Sequence, residues 1–488
     1  MLQSPTLPES WRALLDAFRP AFRRSRTFAL FALLATGLVT QTTRRTVVGM
    51  LAGAGRAAAV SFHAVCRFFS HHAWDTDRRG LTLARLIVSR LLAADAVIDV
   101  VVDATLFRRW GPKVVGAFRT HDGSAQDPNA LGRGNRWIII GIVVAVPFCG
   151  HPVCLPVLLR LWRGRGTASP VQLAAELVSI LAQVFPDRLV HAVGDAAYHG
   201  KALLVPATTI TTRLPANAAL YAVAPPRTGK RGRPRSKGAR LGRPVELAAS
   251  AQWRAATITR YARSVIVEIA DIPSIWYGAF GDTPGRTVLV REPGDDRVLA
   301  VFTTDHRSRT DTVVERYAHR WPIETAIASG KQLLGIGQAR NRLQRAVERT
   351  VPLSFCVYSL VIVWYTLHGY HPDDLARRRS DQPWYPHKDE PASLENRGDQ
   401  KLVSGCLLVL GGVGVELEGD VVSESLQLFD RHGLGFSGVV SGVVVGAWVL
   451  VEGAVDEHVP GVGEHLMREG DHSDLAGQGL APSLVRAR

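Results

Sequence analysis

Four side chains with acid, base and phosphate-binding chemistry stand at a regular spacing in this 488-residue chain. They are Tyr317, Arg320, Glu324 and Lys331, in the pattern Y-x2-R-x3-E-x6-K. On a helix that turns about 100° per residue, all four would share one narrow face. A carboxylate flanked by two cations and a phenol suits metal-bound phosphate chemistry, because the cations hold the phosphate while the acid holds the metal. An ordinary amphipathic surface helix with ion pairs is the alternative.

A proline interrupts this stretch between its arginine and its glutamate. Pro322 inside a helix would remove a hydrogen bond and clash with the preceding turn. Either the helix kinks there, or one helix ends near Trp321 and a second begins with Pro322 in its first turn. In the second case, only the tertiary structure can bring the four groups together.

Two further acidic residues follow apolar runs that are typical of buried strands. Asp103 follows residues 97–102, and Asp195 follows residues 189–193 and Gly194. Sheets of α/β proteins tend to place functional groups at the carboxyl ends of their strands. A single aspartate in such a place is more often a turn residue or a helix cap. Two of them, followed by the glutamate motif, make a common site the better interpretation.

The elements that must position these acids can be predicted from the same patterns. Residues 137–146 and 153–161 predict two more strands, and residues 170–185 predict a helix with Ser169 as its N-cap. Residues 1–93 have helical periodicity, and residues 351–368 predict an apolar helix that closes the core. The short helix at residues 62–69 suits either a DNA-binding domain or a plain helical bundle.

Taken together, these motifs resemble the DDE transposases of bacterial insertion sequences, in the branch with the YREK signature. The resemblance covers roughly residues 40–390 and implies an RNase-H-like α/β fold: a mixed sheet flanked by helices, with a β-rich insertion and an N-terminal helical domain. It implies that Asp103, Asp195 and Glu324 are the catalytic acids and hold two Mg²⁺ ions, for which Mn²⁺ can substitute. Water would nick the element end, and the freed 3′-OH would attack the opposite strand and later the target DNA.

The resemblance also assigns the residues around the acids. Arg320 and Lys331 would position a phosphate next to the scissile one, and Tyr317 would hydrogen-bond to it. Asp305 and Glu315 compete with Glu324 as the third metal ligand, and the family motif favours Glu324. Some relatives have a second acid after the first aspartate, where this chain has Ala104, so a reserve ligand is missing.

A basic segment and two tryptophans are further candidates for DNA contact. Arg231, Arg233 and Arg235 belong to an extended, AT-hook-like peptide that could lie in a narrow minor groove or simply follow phosphates as a basic linker. Trp276 and Trp321 are candidates for stacking on an unpaired base, as in relatives that form a DNA hairpin. A tryptophan with helix or strand neighbours is, however, more often part of a core.

The charge distribution indicates a polyanionic partner. Residues 1–400 contain 53 Lys/Arg against 31 Asp/Glu, whereas residues 401–488 contain 5 against 12. An excess of this size favours nucleic acid as the partner. We expect double-stranded DNA, both the terminal inverted repeats and the target, bound by a homodimer. No basic amphipathic helix dominates the chain, so a membrane partner is disfavoured.

Cysteine usage and the apolar segments bear on the compartment. Five scattered cysteines form no paired framework, which is typical of a reducing environment. The apolar run at residues 28–39 is too short to span a bilayer and lacks a clear cleavage site, so we interpret it as a buried helix. These features predict a cytoplasmic, nucleoid-associated bacterial protein.

The predicted domain organisation has five parts. They are a helical, candidate DNA-binding domain at 1–94, the first part of the RNase-H-like core at 95–205, a β-rich insertion at 206–297, the last part of the core at 298–392, and a tail at 393–488. The tail is rich in glycine and valine, with 16 and 17 of them in residues 401–488. A reading-frame change explains this composition, and a small acidic β domain is the alternative.

Two other functions remain open from the sequence. The first is a decayed transposase that still binds element ends without cutting them, which the tail and Pro322 motivate. The second is an RNase-H-like nuclease that cuts DNA without joining it to a target. The two differ from a transposase in metal-dependent nicking and in joined products, respectively.

Overall fold

The computed structural model describes residues 8–41, 45–57, 59–123, 130–226, 235–261 and 263–373. The chain divides into two compact units, Met1–Arg431 and His432–Arg488, and all described residues belong to the first. Arg231, Arg233 and the predicted tail at 393–488 lie outside the described residues.

In the described residues, five helices precede the first strand, and the later helices and strands are interspersed. The helices are α1 (Glu9–Asp16), α2 (Ser25–Thr40), α3 (Val47–Gly53), α4 (Phe62–Ser70), α5 (Thr76–Leu91), α6 (Pro170–Val184), α7 (Pro244–Ser250), α8 (Tyr277–Phe280), α9 (Thr310–Ala318), α10 (Pro322–Leu333) and α11 (Gln344–Trp364). The strands are β1 (Ile98–Arg108), β2 (Phe118–His121), β3 (Leu131–Val144), β4 (Val153–Trp162), β5 (Val190–Gly194), β6 (Thr208–Arg213), β7 (Leu220–Tyr221), β8 (Arg240–Gly242), β9 (Arg254–Arg260), β10 (Arg263–Ser274), β11 (Gly285–Arg291) and β12 (Leu299–Thr303).

Five strands form the mixed core of the sheet, in the order β4-β3-β1-β5-β6. Strand β3 runs antiparallel to both β1 and β4, whereas β1, β5 and β6 are parallel. The helix between β4 and β5 is α6, whose N-cap Ser169 forms a capping box with Gln172. This is the RNase-H-like arrangement, so the predicted fold class is confirmed.

The β-rich segment after residue 206 extends this core sheet. Strands β9 to β12 pair antiparallel with one another, and β12 pairs with β6 through Val301 and Arg213. The result is a ten-stranded sheet, in which β2 also pairs with β3. Strand β12, the last of this segment, therefore joins the core sheet, whereas the domain boundaries stay a prediction.

The first strand is longer than its apolar run predicts. We placed Asp103 at the end of the strand, but β1 continues to Arg108 because its antiparallel pairing with β3 extends to Gly134. The parallel pairing with β5 ends earlier, at Val101 and Val193. Asp103 therefore lies inside β1, just beyond the point where its parallel neighbour ends.

The N-terminal helices and α11 enclose one side of the core. Helix α11 is buried along most of its length and contacts α1, α2, α4, α5 and β4. Trp11 of α1 and Trp364 of α11 meet edge to face at 6.4 Å between ring centroids. The helix Gln344–Gly369 is long and apolar enough to cross a membrane, but 83% of its most apolar window is buried inside the protein. Helix α2 is also largely buried, as we predicted for residues 28–39.

A buried histidine connects the core strands near the site. The ring of His191 lies 2.7 Å from Thr209 Oγ1 through Nδ1 and 3.1 Å from Thr211 Oγ1 through Nε2. Thr211 Oγ1 donates onward to Thr303 Oγ1, so it can accept from Nε2–H, which leaves Nδ1 to accept from Thr209. Burial, together with the nearby charge of Arg316, lowers the pKa of His191 to about 3, and Asp305 offsets part of this effect. The neutral ring is therefore part of the folded structure.

The depressed pKa of His191 predicts a pH-dependent stability. Between pH 6.5 and about 3 the unfolded chain binds a proton at this position that the folded chain rejects, so the wild type loses stability as the pH falls. His191→Gln should be less stable than wild type by about 1–3 kcal/mol at pH 8, because it loses buried hydrogen bonds. The gap should narrow by up to about 1.4 kcal/mol per pH unit below pH 6.5. Urea unfolding of the full chain from pH 8 to pH 4.5 measures this.

A matched control for this prediction is the exposed His63, whose change to glutamine should leave the stability profile parallel to that of wild type. A gap between wild type and His191→Gln that stays constant across the whole pH range would contradict the assignment of a neutral buried ring.

Candidate active site

The Y-x2-R-x3-E-x6-K stretch folds as two helices. Helix α9 ends at Ala318 and α10 begins with Pro322 at its first position, which is the second of the two alternatives that the sequence allowed. The backbone N–H groups of Arg320 and Trp321 donate to carbonyls three residues earlier, so a tight turn joins the helices. The single-face arithmetic is therefore wrong, since a proline cannot continue the hydrogen-bond ladder of α9.

Three acidic side chains from separate elements influence one another. Asp103 belongs to β1, Asp195 directly follows β5, and Glu324 lies in the first turn of α10. Burial raises the pKa of Asp103 to about 6, and the charges of Asp195 and Glu324 raise it as well. A hydrogen bond from the Ala104 N–H at 2.6 Å and the charge of Arg320 act in the opposite direction. The fold thus brings the acids into one electrostatic environment.

The turn after β5 holds Asp195 in a defined position. Its carboxylate Oδ1 accepts a hydrogen bond from the Ala197 N–H at 2.9 Å. Its carbonyl oxygen accepts from Thr212 Oγ1 at 2.7 Å and from the Tyr198 N–H at 3.0 Å. Because β6 supplies Thr212, the sheet itself fixes this turn next to Asp103.

Arg320 is a cation that interacts with two of the three acids, Glu324 and Asp103. Its Nη2 lies 2.6 Å from Glu324 Oε1, and its side chain is only 17% exposed. Burial would lower the pKa of Arg320, but the charges of Glu324, Tyr317 and Asp103 outweigh it and raise the pKa. Burial raises the pKa of Tyr317, while Arg320 and Arg213 act to lower it. Tyr317, Arg320 and Glu324 are therefore neighbours despite the break between the helices.

Lys331 lies further along β1 than the other three residues of the motif. Its Nζ is 5.5 Å from the centre of the Phe107 ring, four residues beyond Asp103. Burial lowers the pKa of Lys331, and the charges of Asp122 and Asp103 partly offset this effect. Helix α10 therefore follows β1, with Glu324 near Asp103 and Lys331 near Phe107.

The donor set of this site fits a divalent metal ion by its chemistry. Three carboxylates supply the hard oxygen ligands that Mg²⁺ prefers, and the raised pKa of Asp103 reflects a buried carboxylate that a cation would stabilise. In the conformation described, however, Glu324 is paired with Arg320. Within the described ranges, no group of three His, Cys, Asp or Glu side chains is close enough to hold a metal ion. The described conformation thus places Glu324 with Arg320, outside any group of three carboxylates.

Comparison with known protein families agrees with this geometry. The family model of the DDE superfamily endonucleases matches residues 17–265, just over half of the chain. The chain belongs to this family. The match includes β1 and β5, with Asp103 and Asp195, and ends before Glu324. Comparison with curated proteins gave no significant match. The superfamily generally depends on a divalent metal, and membership implies a DNA substrate.

The two competing acids of this DDE endonuclease stabilise its structure. Burial would raise the pKa of Asp305, but hydrogen bonds from Ser308 and from the Arg307 N–H lower it to about 2. Its Oδ2 also pairs with Arg316 at 2.9 Å. Glu315 accepts a hydrogen bond from the Thr259 N–H at 2.8 Å, which ties α9 to β9. Glu324 has no such structural bond besides its pair with Arg320 among the described residues.

The predicted DNA-contacting tryptophans differ in accessibility. Trp276 is 5% exposed and stacks on His199 at 4.7 Å between ring centroids, with Phe280 and Phe302 at its edges. In this conformation it belongs to the core and cannot stack on a base. Trp321 is 39% exposed beside Arg320 and remains available. Arg235, the one described residue of the three AT-hook arginines, is exposed.

Tyr198 is a further residue beside the candidate site, and the sequence analysis did not include it. Its side chain is 3% exposed, and its hydroxyl has no hydrogen-bond partner among the described residues. Burial raises its pKa strongly, and the charges of Asp103 and Asp195 raise it further. Its position three residues after Asp195 was the available signal. Arg213, which influences Tyr317 from the end of β6, had no comparable signal in the sequence.

The different surroundings of the acids predict different effects of neutralising them. Asp305→Asn should reduce the free energy of unfolding by roughly 2–4 kcal/mol, because it removes one partner of a buried ion pair. Glu324→Gln should reduce it by less than about 1 kcal/mol, because that pair is partly exposed. Thermal or urea unfolding of the full-length variants measures both.

Glu315→Gln is the matched control, since it keeps an oxygen that can accept from Thr259. If Glu324→Gln proved more destabilising than Asp305→Asn, the division into structural and site acids would be wrong.

Proposed function

We propose that this DDE endonuclease is a DNA transposase of a bacterial insertion sequence, in the YREK branch. It would cut DNA at the ends of its element and join the freed 3′ ends to target DNA. The observation that supports this most is the raised pKa of Asp103, to which Asp195 and Glu324 contribute from two other elements. These acids follow the order Asp, Asp, Glu along the chain. The Y-x2-R-x3-E-x6-K motif also places Arg320 beside Glu324.

The three acids would hold the metal, for which we propose Mg²⁺. When bound, the divalent metal would supply positive charge for the attacking and leaving oxygens of an in-line displacement at phosphorus. Asp103 is suited to this role because it is buried and its own backbone bond at Ala104 fixes its orientation. Asp195 is suited to it because its turn is fixed by Ala197 and Thr212.

The cationic residues would bind the DNA backbone beside the scissile phosphate. Arg320 can donate two parallel hydrogen bonds to a phosphate, and in doing so it would release Glu324. Tyr317 stays protonated at neutral pH because burial raises its pKa, so its hydroxyl can donate to a phosphate oxygen. Lys331 lies near Phe107 and would bind a phosphate further along the same DNA strand.

The wider properties of the proposed transposase follow from its charge. The excess of 53 basic over 31 acidic residues in the first 400 suits both the terminal inverted repeats and the target DNA. We propose that a homodimer holds the two element ends in a cytoplasmic, nucleoid-associated complex. The described part of the chain contains one helix that could span a membrane, and that helix is buried in the core.

A nuclease that cuts without strand transfer is the second candidate. The matching family is described as endonucleases, and the match ends before the helix that contains Glu324. Both candidates require the same acids for cutting. They differ in whether a 3′-OH end is joined to a second DNA molecule.

Metal-dependent nicking tests the acid assignment. With Mg²⁺ and duplex DNA that contains the inverted repeats flanking its own gene, the wild type should produce 3′-OH nicks at the repeat ends. Asp103→Asn should bind the same DNA with similar affinity and cut at least about a thousandfold more slowly, since the removed carboxylate would hold the metal. Denaturing gels of end-labelled DNA give the rates, and fluorescence anisotropy gives the affinities.

The control for this experiment is Asp95→Asn, which changes an exposed aspartate just before β1 and should cut like wild type. Equal cutting by wild type and Asp103→Asn would show that the acids are assigned wrongly.

Strand transfer separates the transposase from the plain nuclease. With pre-cut repeat ends, Mg²⁺ and a supercoiled target plasmid, a transposase should give plasmid joined to the labelled end, because the exposed 3′-OH can act as the nucleophile. Sequencing of the junctions measures joining and any target duplication. Nicking at normal rates with no joined product would establish the nuclease instead.

A further inference from the structure

Trp110 is by far the most exposed large apolar side chain among the described residues. It is 85% exposed, in the loop that follows β1. We call residues 109–117 the tryptophan loop. Burying one side of an aromatic ring of this size gains substantial free energy, so a tryptophan that is left in solvent commonly marks a binding surface.

The tryptophan loop is held rigidly, so the exposure of Trp110 is built into the fold. Arg133 of β3 donates to the carbonyl of Gly111 at 2.9 Å and to those of Arg109 and Pro112 at 3.3 and 3.4 Å. The Arg109 side chain is itself buried and donates to Asn135 Oδ1 at 3.1 Å. Both residues that flank Trp110 are therefore fixed while its ring points into solvent.

A second loop lies against the first one. It comprises residues 334–345, which are the loop after α10 and the first two residues of α11, and we call it the basic loop. The carbonyl of Gly337 accepts a hydrogen bond from Arg109, and the carbonyl of Arg342 accepts one from the Val115 N–H at 3.2 Å. Gly337 has a φ of +106°, and a Cβ there would lie 2.7 Å from the Phe107 ring. A glycine is thus required for the basic loop to approach the end of β1.

The two loops form one surface with a single sign of charge. Neither segment contains an aspartate or a glutamate. The exposed cations on them are Lys113, Arg340, Arg342 and Arg345. Arg108 adjoins them at the end of β1, where it pairs with the buried Asp122 at 2.8 Å. An exposed aromatic ring on a surface with several exposed cations is the chemistry of single-stranded nucleic-acid binding. An apolar protein partner would need no such charge.

The position of this surface relates it to the acids. Strand β1 leads from Asp103 to the tryptophan loop, and α10 leads from Glu324 through Lys331 to the basic loop. The strand advances about 16 Å from Asp103 to Arg108 at about 3.3 Å per residue, and two loop residues bring the distance to Trp110 to roughly 20 Å. At 3.4 Å per base step, that distance corresponds to about six base pairs of DNA.

We propose that the tryptophan loop and the basic loop form a second DNA-binding site, about six base pairs from the bond that is cut. There, Trp110 stacks on a base that has left the duplex, and the arginines of the basic loop bind the adjoining phosphates. This inference rests on the proposed function, since it requires that the acids act on DNA. It is separate from the base-stacking role considered for Trp276 and Trp321, which lie in other elements.

The test uses full-length protein and DNA duplexes that differ only in the position of one unpaired 2-aminopurine. Duplexes with the unpaired base six pairs from the cut site should bind wild type more tightly than fully paired DNA. Their fluorescence should be quenched on binding, because the base stacks on Trp110. Trp110→Ala should weaken this binding about tenfold and abolish the quenching, whereas Trp110→Phe should retain most of both.

Two further variants make the test specific. Ile266→Ala removes another exposed apolar side chain, 61% exposed on β10, and should change nothing. Changing Arg340 and Arg342 together to glutamine should reduce the slope of log affinity against log salt concentration by about 1.8, because two phosphate contacts are lost.

The possible failures are distinguishable. If Trp110→Ala bound and quenched every duplex like wild type while nicking remained intact, this second site would not exist and the proposed function would stand. If wild type neither bound nor cut any of the duplexes, the proposed function would fail and this inference with it. Trp110-dependent binding to anionic vesicles with none to DNA would also overturn it.

Discussion

The burial of carboxylates close to one another is the physical constraint on which the site depends. Asp103 and Asp195 lie on neighbouring strands, and Glu324 approaches them from a helix, so their charges oppose one another in a partly buried place. The sheet holds them there because β1 is paired on both edges and the turn after β5 is bonded to β6. Arg320 offsets part of the repulsion. Burial, which is the largest cause, and the remaining repulsion together raise the pKa of Asp103, which marks a group that gains from a cation.

A second ionic cluster in the same region holds two acids in different states. Arg316 pairs with Asp305 at 2.9 Å and with Asp99 at 3.2 Å, and Asp305 also accepts two backbone hydrogen bonds. The donors around Asp305 lower its pKa to about 2, and its pair with Arg316 ties α9 to the sheet. Burial raises the pKa of Asp99 to about 6 despite its pair with Arg316. A raised pKa is therefore shared by Asp99 and Asp103, and what distinguishes Asp103 is the presence of Asp195 and Glu324 beside it.

The sequence predicted the parts of the site that local patterns determine. Asp103 and Asp195 could be found because buried strands have recognisable apolar runs, and the N-cap of α6 followed from Ser169. At Pro322 the sequence allowed either a kinked helix or two separate helices. Which of the two forms depends on what α9 and α10 pack against. The burial of Trp276 and the exposure of Trp110 were beyond local reasoning. They are decided by Phe302 and by Arg133, which lie 26 and 23 residues away in the chain. Long-range contacts thus decide which aromatic residues reach the solvent.

The pair formed by Arg320 and Glu324 connects substrate binding to the acids. Arg320 has a raised pKa and stays charged at any physiological pH, so proton loss cannot release Glu324. A competing anion can take the place of the carboxylate, and a DNA phosphate is the anion that this surface is charged to attract. In the proposed transposase, Glu324 would therefore become available when the backbone reaches Arg320. While no DNA is bound, the pair with Arg320 would neutralise the charge of Glu324, which limits the repulsion among the three acids.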